Sequence, residues 1–305
     1  MDKLFEVEEL APGEIHRPSA FLALPGGKGV HVAQVATALG AHALATGVLA
    51  GHSGRWLADT LAAEGVPADF VWGIGTTRSS LSVADRATAG LTEFYEDGAP
   101  ARPQDWSELA RIVYGLMGTA SWLVLAGSPP TLGADGEGYP SLIATAHSAG
   151  VPVAVDARGQ ALAETIASGP ELVKINLHEA EELLARKIAD IAQAQMAAVE
   201  IRSRIGGAGH ATVITLGERG MVLVDPGGDA WHGAVAVRGS YPVGSGDAFL
   251  AGLLTALSDG EAWASAAALA LGAAAANAEV PGAARLDPAR ARELAARADV
   301  CELAA

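Results

Sequence analysis

One feature constrains the fold of this chain more than any other. From about Pro25 onward, short apolar runs alternate with segments of helical length. Residues 43–49, 122–125, 151–155, 172–175 and 211–215 are compact and rich in apolar or β-branched side chains, as strands buried on both faces are. Between them, residues 30–39, 55–64, 139–149, 161–167 and 179–185 carry helical periodicity. Gly40 and Gly65 stand where a C-terminal cap belongs, and Pro103 suits the first turn of a helix. Such alternation builds a mostly parallel sheet covered by helices. The last third reads as two long Ala-rich helices, near 247–257 and 261–278.

Two stretches break the rhythm. Residues 4–24 and 80–95 carry strand-like runs with no helix between them. Within the second, Ser80-Leu81-Ser82-Val83 and Leu91-Thr92-Glu93-Phe94-Tyr95 alternate about a polar turn, the pattern of a hairpin. The expected assembly is a small antiparallel sheet, residues 1–25 and 78–98, projecting from an α/β body of residues 26–77 and 99–305. A flap of this kind serves as a lid that keeps water from a reaction.

Composition narrows the function. At 305 residues the chain buries a substantial core. No apolar run has the length that crosses a bilayer, and the acidic start Met1 to Leu10 lacks the apolar centre of a secretory signal. Cys301 is the single cysteine, so an intrachain disulfide is excluded and a cytoplasmic setting is expected. A net charge of −15 argues against nucleic-acid and membrane-surface partners. It leaves an anionic small molecule open, because a few local cations reverse the field within a cleft. Lysine is scarce, at Lys3, Lys28, Lys174 and Lys187 only.

Four short motifs could carry chemistry. Gly244-Ser245-Gly246-Asp247 precedes an apolar helix. Its glycines let backbone N–H groups converge at a helix N-terminus, where the dipole favours anions. A carboxylate there could accept the proton of an attacking hydroxyl; a plain helix-capping loop has the same composition. Gly26-Gly27-Lys28-Gly29 sets one cation at a helix start. It is neither a Walker A loop nor a dinucleotide fingerprint. Asn176-Leu177-His178-Glu179 follows a strand and could orient waters around Mg²⁺, or form a capping box. Thr215-Leu216-Gly217-Glu218-Arg219-Gly220 turns one strand into the next.

Taken in this order, the four motifs resemble those of the ribokinase-like PfkB family of carbohydrate kinases, over essentially the whole chain. Gly26 to Gly29 is similar to its N-terminal signature, Gly244 to Asp247 to its C-terminal one, and Asn176 to Glu179 to its Asn-x-x-Glu motif. Gly-Gly-Lys-Gly-Val and Ala-Gly-Ser-Pro-Pro (126–130) look most like the 1-phosphofructokinase and tagatose-6-phosphate kinase branch. The resemblance implies a three-layer α/β/α sandwich with a β lid, and transfer of the ATP γ-phosphoryl to a sugar-phosphate hydroxyl. It implies Asp247 as base, with Gly244, Ser245 and Gly246 as the anion hole. Asn176 and Glu179 would organise Mg²⁺ through water, while Lys174, Thr215, Gly217, Gly220 and Asn277 would serve the nucleotide. Asp2, Gly27, Lys28, Gly29, Arg78 and Ser128 would face the sugar. A homodimer paired through the lid is also implied.

The chain departs from the family pattern on the acceptor side. It joins the usual Asn-Pro-x-x-Asp at the final Asp, as Asp2-Lys3-Leu4, so one core strand is expected to be absent from this sequence. His31 stands where the family carries Asn, Tyr95 replaces another Asn, and Ser79-Ser80-Leu81-Ser82 lacks the usual polar residues. Two other readings follow from these changes: a kinase of an unphosphorylated sugar or nucleoside, and a non-catalytic binder of sugars or nucleotides.

Overall fold

The structure is a computed structural model that describes residues 1–88, 90–98, 100–129, 138–237 and 239–304. The chain opens with strands β1 (Asp2–Val7) and β2 (Ala20–Leu24), then helix α1 (Lys28–Leu39), β3 (Ala45–Leu49), α2 (Gly51–Ala63) and β4 (Ala68–Trp72). The hairpin β5 (Ser80–Asp85) and β6 (Gly90–Tyr95) follows, then α3 (Pro103–Leu116), with Pro103 in its first turn. Strands and helices then alternate: β7 (Leu123–Ala126), α4 (Gly138–Ser148), β8 (Val153–Asp156), α5 (Gly159–Ala167), β9 (Leu172–Asn176), α6 (Leu177–Leu184), α7 (Ile191–Ile205) and β10 (Ala211–Thr215). The chain continues through β11 (Met221–Val224), β12 (Ala230–Ala234), α8 (Ser245–Ser258), α9 (Trp263–Ala278), α10 (Pro288–Ala295) and β13 (Asp299–Leu303).

The central sheet has seven strands in the order β13-β12-β11-β10-β9-β8-β7. It is parallel from β7 to β10 and then turns into an antiparallel meander through β13. Side chains alternate across it. Val153, Val155, Val173, Ile175 and Ile214 pack under α3 to α7. Ala154, Leu172, Val213 and Leu223 pack on the other face, against α1, α8, α9 and α10. Period-two alternation thus gives one sheet two apolar faces and the molecule its three layers. Helix α8 is apolar nearly all round, and Phe249, Leu250, Leu253 and Leu254 are all buried. At about 1.5–3 kcal/mol per large side chain, these four anchor the helix whose first turn enters the site. Among the described residues no helix is long and apolar enough to cross a membrane.

The lid sheet runs β2-β1-β5-β6. Its outer pairings are antiparallel, as expected, but β1 and β5 pair in parallel, Asp2 opposite Ser80 and Val7 opposite Asp85. The crossover between them runs through α1, β3, α2 and β4, which is long enough to return the chain in the same direction.

Strands β3 and β4 form a separate parallel pair. On its other edge β3 has no partner strand among the described residues, and the same holds for β7. Thr46 to Leu49 of β3 and Leu123 to Ala126 of β7 line one common cavity. Among the described residues the two strands thus face one cavity with unpaired edges.

Candidate active site

The parallel strands all present their carboxyl ends to one side, where an open α/β sheet binds ligands. Ala126 closes β7, Asp156 closes β8, Asn176 closes β9 and Thr215 closes β10. The lid and the start of α1 cover the same end. They enclose a cleft of about 1680 Å³ whose walls include Asp2, Gly27, Lys28, Gly29, Arg78, Ser128, Gly244 and Asp247. Pro130 of the Ala-Gly-Ser-Pro-Pro run lies outside the described residues.

The entry to α8 is built for an anion. Gly244 caps the helix at φ 79°, and a Cβ there would lie 2.7 Å from that of Ala283. Only glycine takes this left-handed turn without strain. Ser245 N–H donates to Pro242 O at 3.1 Å, which tightens the turn, and Gly246 follows with an N–H that the helix does not use. Asn277, expected along the nucleotide, is fully buried behind this turn. Its amide donates to Val243 O at 2.9 Å and Ser245 Oγ at 3.1 Å, so it holds the loop from beneath. A Cβ on Gly246 would come 2.7 Å from Lys174 Nζ, which puts that ammonium beside the loop.

Lys174 is also buried, and it donates to Asp156 Oδ2 at 2.6 Å. Lys28 donates to the other oxygen, Oδ1, at 2.5 Å, and lies 3.7 Å from Glu179 Oε1. Burial alone would raise Asp156, but the two ammonium groups outweigh it and hold the carboxyl below its usual range. Burial likewise opposes charge on Lys28, and Asp156 and Glu179 overcome it, raising the ammonium. Lys28, expected at the sugar phosphate, is thus drawn toward the entry of α8, with its charge already countered.

Asn176 and Glu179 realise the capping-box alternative. Glu179 N–H donates to Asn176 Oδ1 and Asn176 N–H donates to Glu179 Oε2, each at 2.9 Å. This fixes the first turn of α6 and leaves Glu179 Oε1 turned toward Lys28. No cluster of three His, Cys, Asp or Glu side chains forms a metal cage among the described residues. One outward carboxylate oxygen beside an anion pocket fits Mg²⁺ that arrives on phosphates and keeps several waters. Thr215 donates through its hydroxyl to Ile175 O at 3.4 Å, and Gly217 and Gly220 flank the short turn into β11.

Asp247 lies in the first turn of α8, buried yet on the cleft wall. His31 Nδ1 donates to its Oδ2 at 2.7 Å, and His31 Nε2 lies 3.0 Å from Asp2 Oδ2. The second contact has charge-pair distance but is off the line of a hydrogen bond. Ser80 Oγ donates to Asp2 Oδ1 at 2.5 Å. Tyr95, the other altered position, lines the cleft and donates to Glu93 Oε1 at 2.9 Å.

Arg158 was missed in the sequence. It lines the cleft with Arg78, and neither guanidinium has an ion-pair partner among the described residues. The signal was present in Val155-Asp156-Ala157-Arg158, where a lone acid and a lone base leave the carboxyl end of a buried strand.

The pfkB family carbohydrate kinase pattern matches residues 1–290. The chain is 30% identical over 264 residues to a 1-phosphofructokinase of Rhodobacter capsulatus, covering 84% of this chain and 80% of that protein. It is 31% identical over 236 residues to the ATP-dependent 6-phosphofructokinase isozyme 2 of Escherichia coli K12, covering 77% and 75%. The crystal structure of phosphofructokinase-2 from Escherichia coli in complex with substrates and products superposes with a TM-score of 0.88, at 28% identity over 97% of this chain and 95% of that one.

Proposed function

Since this chain belongs to the pfkB family of carbohydrate kinases, phosphotransferases acting on sugar hydroxyls, we propose that it moves the γ-phosphoryl of ATP to a sugar phosphate with Asp247 as the general base. The acceptor class is that of fructose 1-phosphate or tagatose 6-phosphate. The observation that carries this reading is the position of Asp247 on the cleft wall, in the first turn of a helix whose entry gathers backbone N–H groups and Lys174.

Asp247 takes the proton of the acceptor hydroxyl, whose oxygen attacks the γ-phosphorus while the bond to the ADP oxygen breaks. Negative charge on the phosphoryl oxygens is met by the N–H groups of Gly246 and Asp247, by the α8 dipole and by Lys174 and Lys28. There is little covalent work for the protein, so alignment and charge neutralisation do most of the catalysis. A Mg²⁺ ion arriving with the nucleotide would supply charge neutralisation at its phosphates. Glu179 and Asn176 would orient the waters of that ion, and Thr215, Gly217 and Gly220 would flank the nucleotide.

A phosphorylated acceptor is favoured over a neutral one by Arg78 and Arg158, two guanidiniums on the cleft wall with no ion-pair partner among the described residues. The test is an ADP-release screen across sugars and sugar phosphates with Mg²⁺-ATP, on the native chain and on Asp247→Ala. A general base contributes about 10²–10⁴-fold, so the variant should lose at least about 10²-fold in kcat. Full-rate turnover by the variant ends this mechanism, and turnover confined to unphosphorylated sugars ends the acceptor reading.

A further inference from the structure

Position 31 carries a buried imidazole that sits between two carboxylates. His31 is 5% exposed, in the first turns of α1. From α8 it faces Asp247 at 2.7 Å and from β1 it faces Asp2 at 3.0 Å. Lys28, from the same helix, directs its ammonium to Asp156 and Glu179 instead. A neutral imidazole has one N–H and one lone pair. Whichever nitrogen carried the lone pair would press it against a carboxylate oxygen. Nδ1 therefore carries a proton toward Asp247, and a second proton on Nε2 sets a positive ring between the two carboxylates, 3.0 Å from Asp2.

We propose that His31 is an imidazolium that positions the general base and couples it to the lid: it engages Oδ2 of Asp247, leaves Oδ1 for the acceptor hydroxyl, and holds β1 to the same point through Asp2. This rests on the reading of Asp247 as the base. Two consequences follow. The imidazolium removes a rotational choice from Asp247, so the oxygen that receives the proton is fixed before the acceptor arrives. In addition, the three groups belong to three elements, β1 of the lid sheet and α1 and α8 of the core. Moving the lid takes Asp2 away from His31 and leaves a charge that one carboxylate alone must hold.

Protonation and lid position are therefore linked, and linkage is reciprocal. Burial opposes the charge on His31, but Asp2 and Asp247 outweigh it and raise the imidazole to about 10. The folded-state value lies above the unfolded one, so the contact is complete at neutral pH and is lost as pH rises toward about 10. A seated lid favours the proton; deprotonation favours an open one.

Histidine side-chain NMR on the native chain tests the charge directly. The resonance missing from His31→Asn should show both ring nitrogens protonated at pH 8. Its alkaline midpoint should fall in Asp2→Asn. Kinetics test the role, with whichever acceptor supports turnover. His31→Leu should lower kcat at least about 10-fold with KM for ATP unchanged. His31→Asn, which keeps a donor toward Asp247, should recover most of kcat yet lose the alkaline fall tied to the imidazole. A neutral His31 ring at pH 8 overturns the proposal, as does a His31→Leu enzyme with native kcat and pH profile. If no acceptor turns over, the kinase reading fails, and the titration with its Asp2→Asn shift still decides whether the link exists.

Discussion

At the residue scale, the cations of the cleft divide by whether their charge is already used. Lys28 and Lys174 share Asp156, so they shape the phosphoryl side without adding a large net field. Arg78 and Arg158 keep theirs, which makes them the groups that would register a charge on the acceptor. A hydrogen bond to a charged group contributes about 1.5–3 kcal/mol, and about 1.4 kcal/mol is tenfold in affinity. Arg158→Ala should accordingly raise KM for a phosphorylated acceptor about 10- to 100-fold and leave KM for ATP unchanged in steady-state assays. An unphosphorylated acceptor should be indifferent to the change. Legibility at this scale followed chain proximity. Asp247 was readable because glycines bracket its approach. Asp156 was not, since its meaning depends on Lys28, which is 128 residues away in the chain.

At the scale of elements, the entry of α8 depends on a residue from α9. The Asn277 amide ties Val243 O and Ser245 Oγ from inside the protein, where water cannot replace it. Asn277→Ala leaves a buried carbonyl without that donor, at a cost of about 1–3 kcal/mol. Thermal denaturation should register that loss, and kcat should fall with it, because the N–H groups of the loop no longer hold one arrangement. Asn277→Asp should behave similarly, since a carboxylate cannot donate. The elements themselves were largely readable where apolar and polar residues contrast, as in β8 to β10 and α8. Helix α7 lacks that contrast, because its core side is made mainly of alanines, Ala194, Ala197 and Ala198, with Ile201 and Ile205. Strand β12 contains His232 and Gly233, β13 is a largely exposed edge, and α10 buries only Ala291 and Leu294. None of these offers the hydrophobic contrast by which a strand or helix is recognised. The parallel β1–β5 pairing was also hidden, because which lid strands become neighbours is set by a crossover through the core.

At the scale of the whole molecule, the lid has two faces. Asp2, Leu4 and Glu6 line the cleft, and strand alternation turns Phe5 the other way, where its ring lies 5.3 Å from that of Phe21. On the same outer side Phe94 stands opposite Leu81. Phe21 and Phe94, on the two edge strands of the sheet, are 56% and 57% exposed, which leaves an apolar surface at each edge of its outer face. We propose that the homodimer implied by the family resemblance closes over this face. Sedimentation should give a dimer for the native chain and a monomer for Phe94→Asp, with the fold unchanged by circular dichroism.

The gap between β3 and β7 bears on how the molecule breathes. In most sheets the middle strands are the last to release their amide protons, because neighbours on both sides must open first. Here β3 and β7 each leave one edge unpaired among the described residues, and the cleft extends along both. Amides of β3 and β7 that face the gap should exchange with deuterium about as fast as those of surface loops, while β8, β9 and β10 exchange only when the whole protein unfolds. Slow exchange along both inner edges would mean that the gap is closed in solution. Fast exchange would make the floor of the substrate cleft a seam that opens on its own, without movement of the lid.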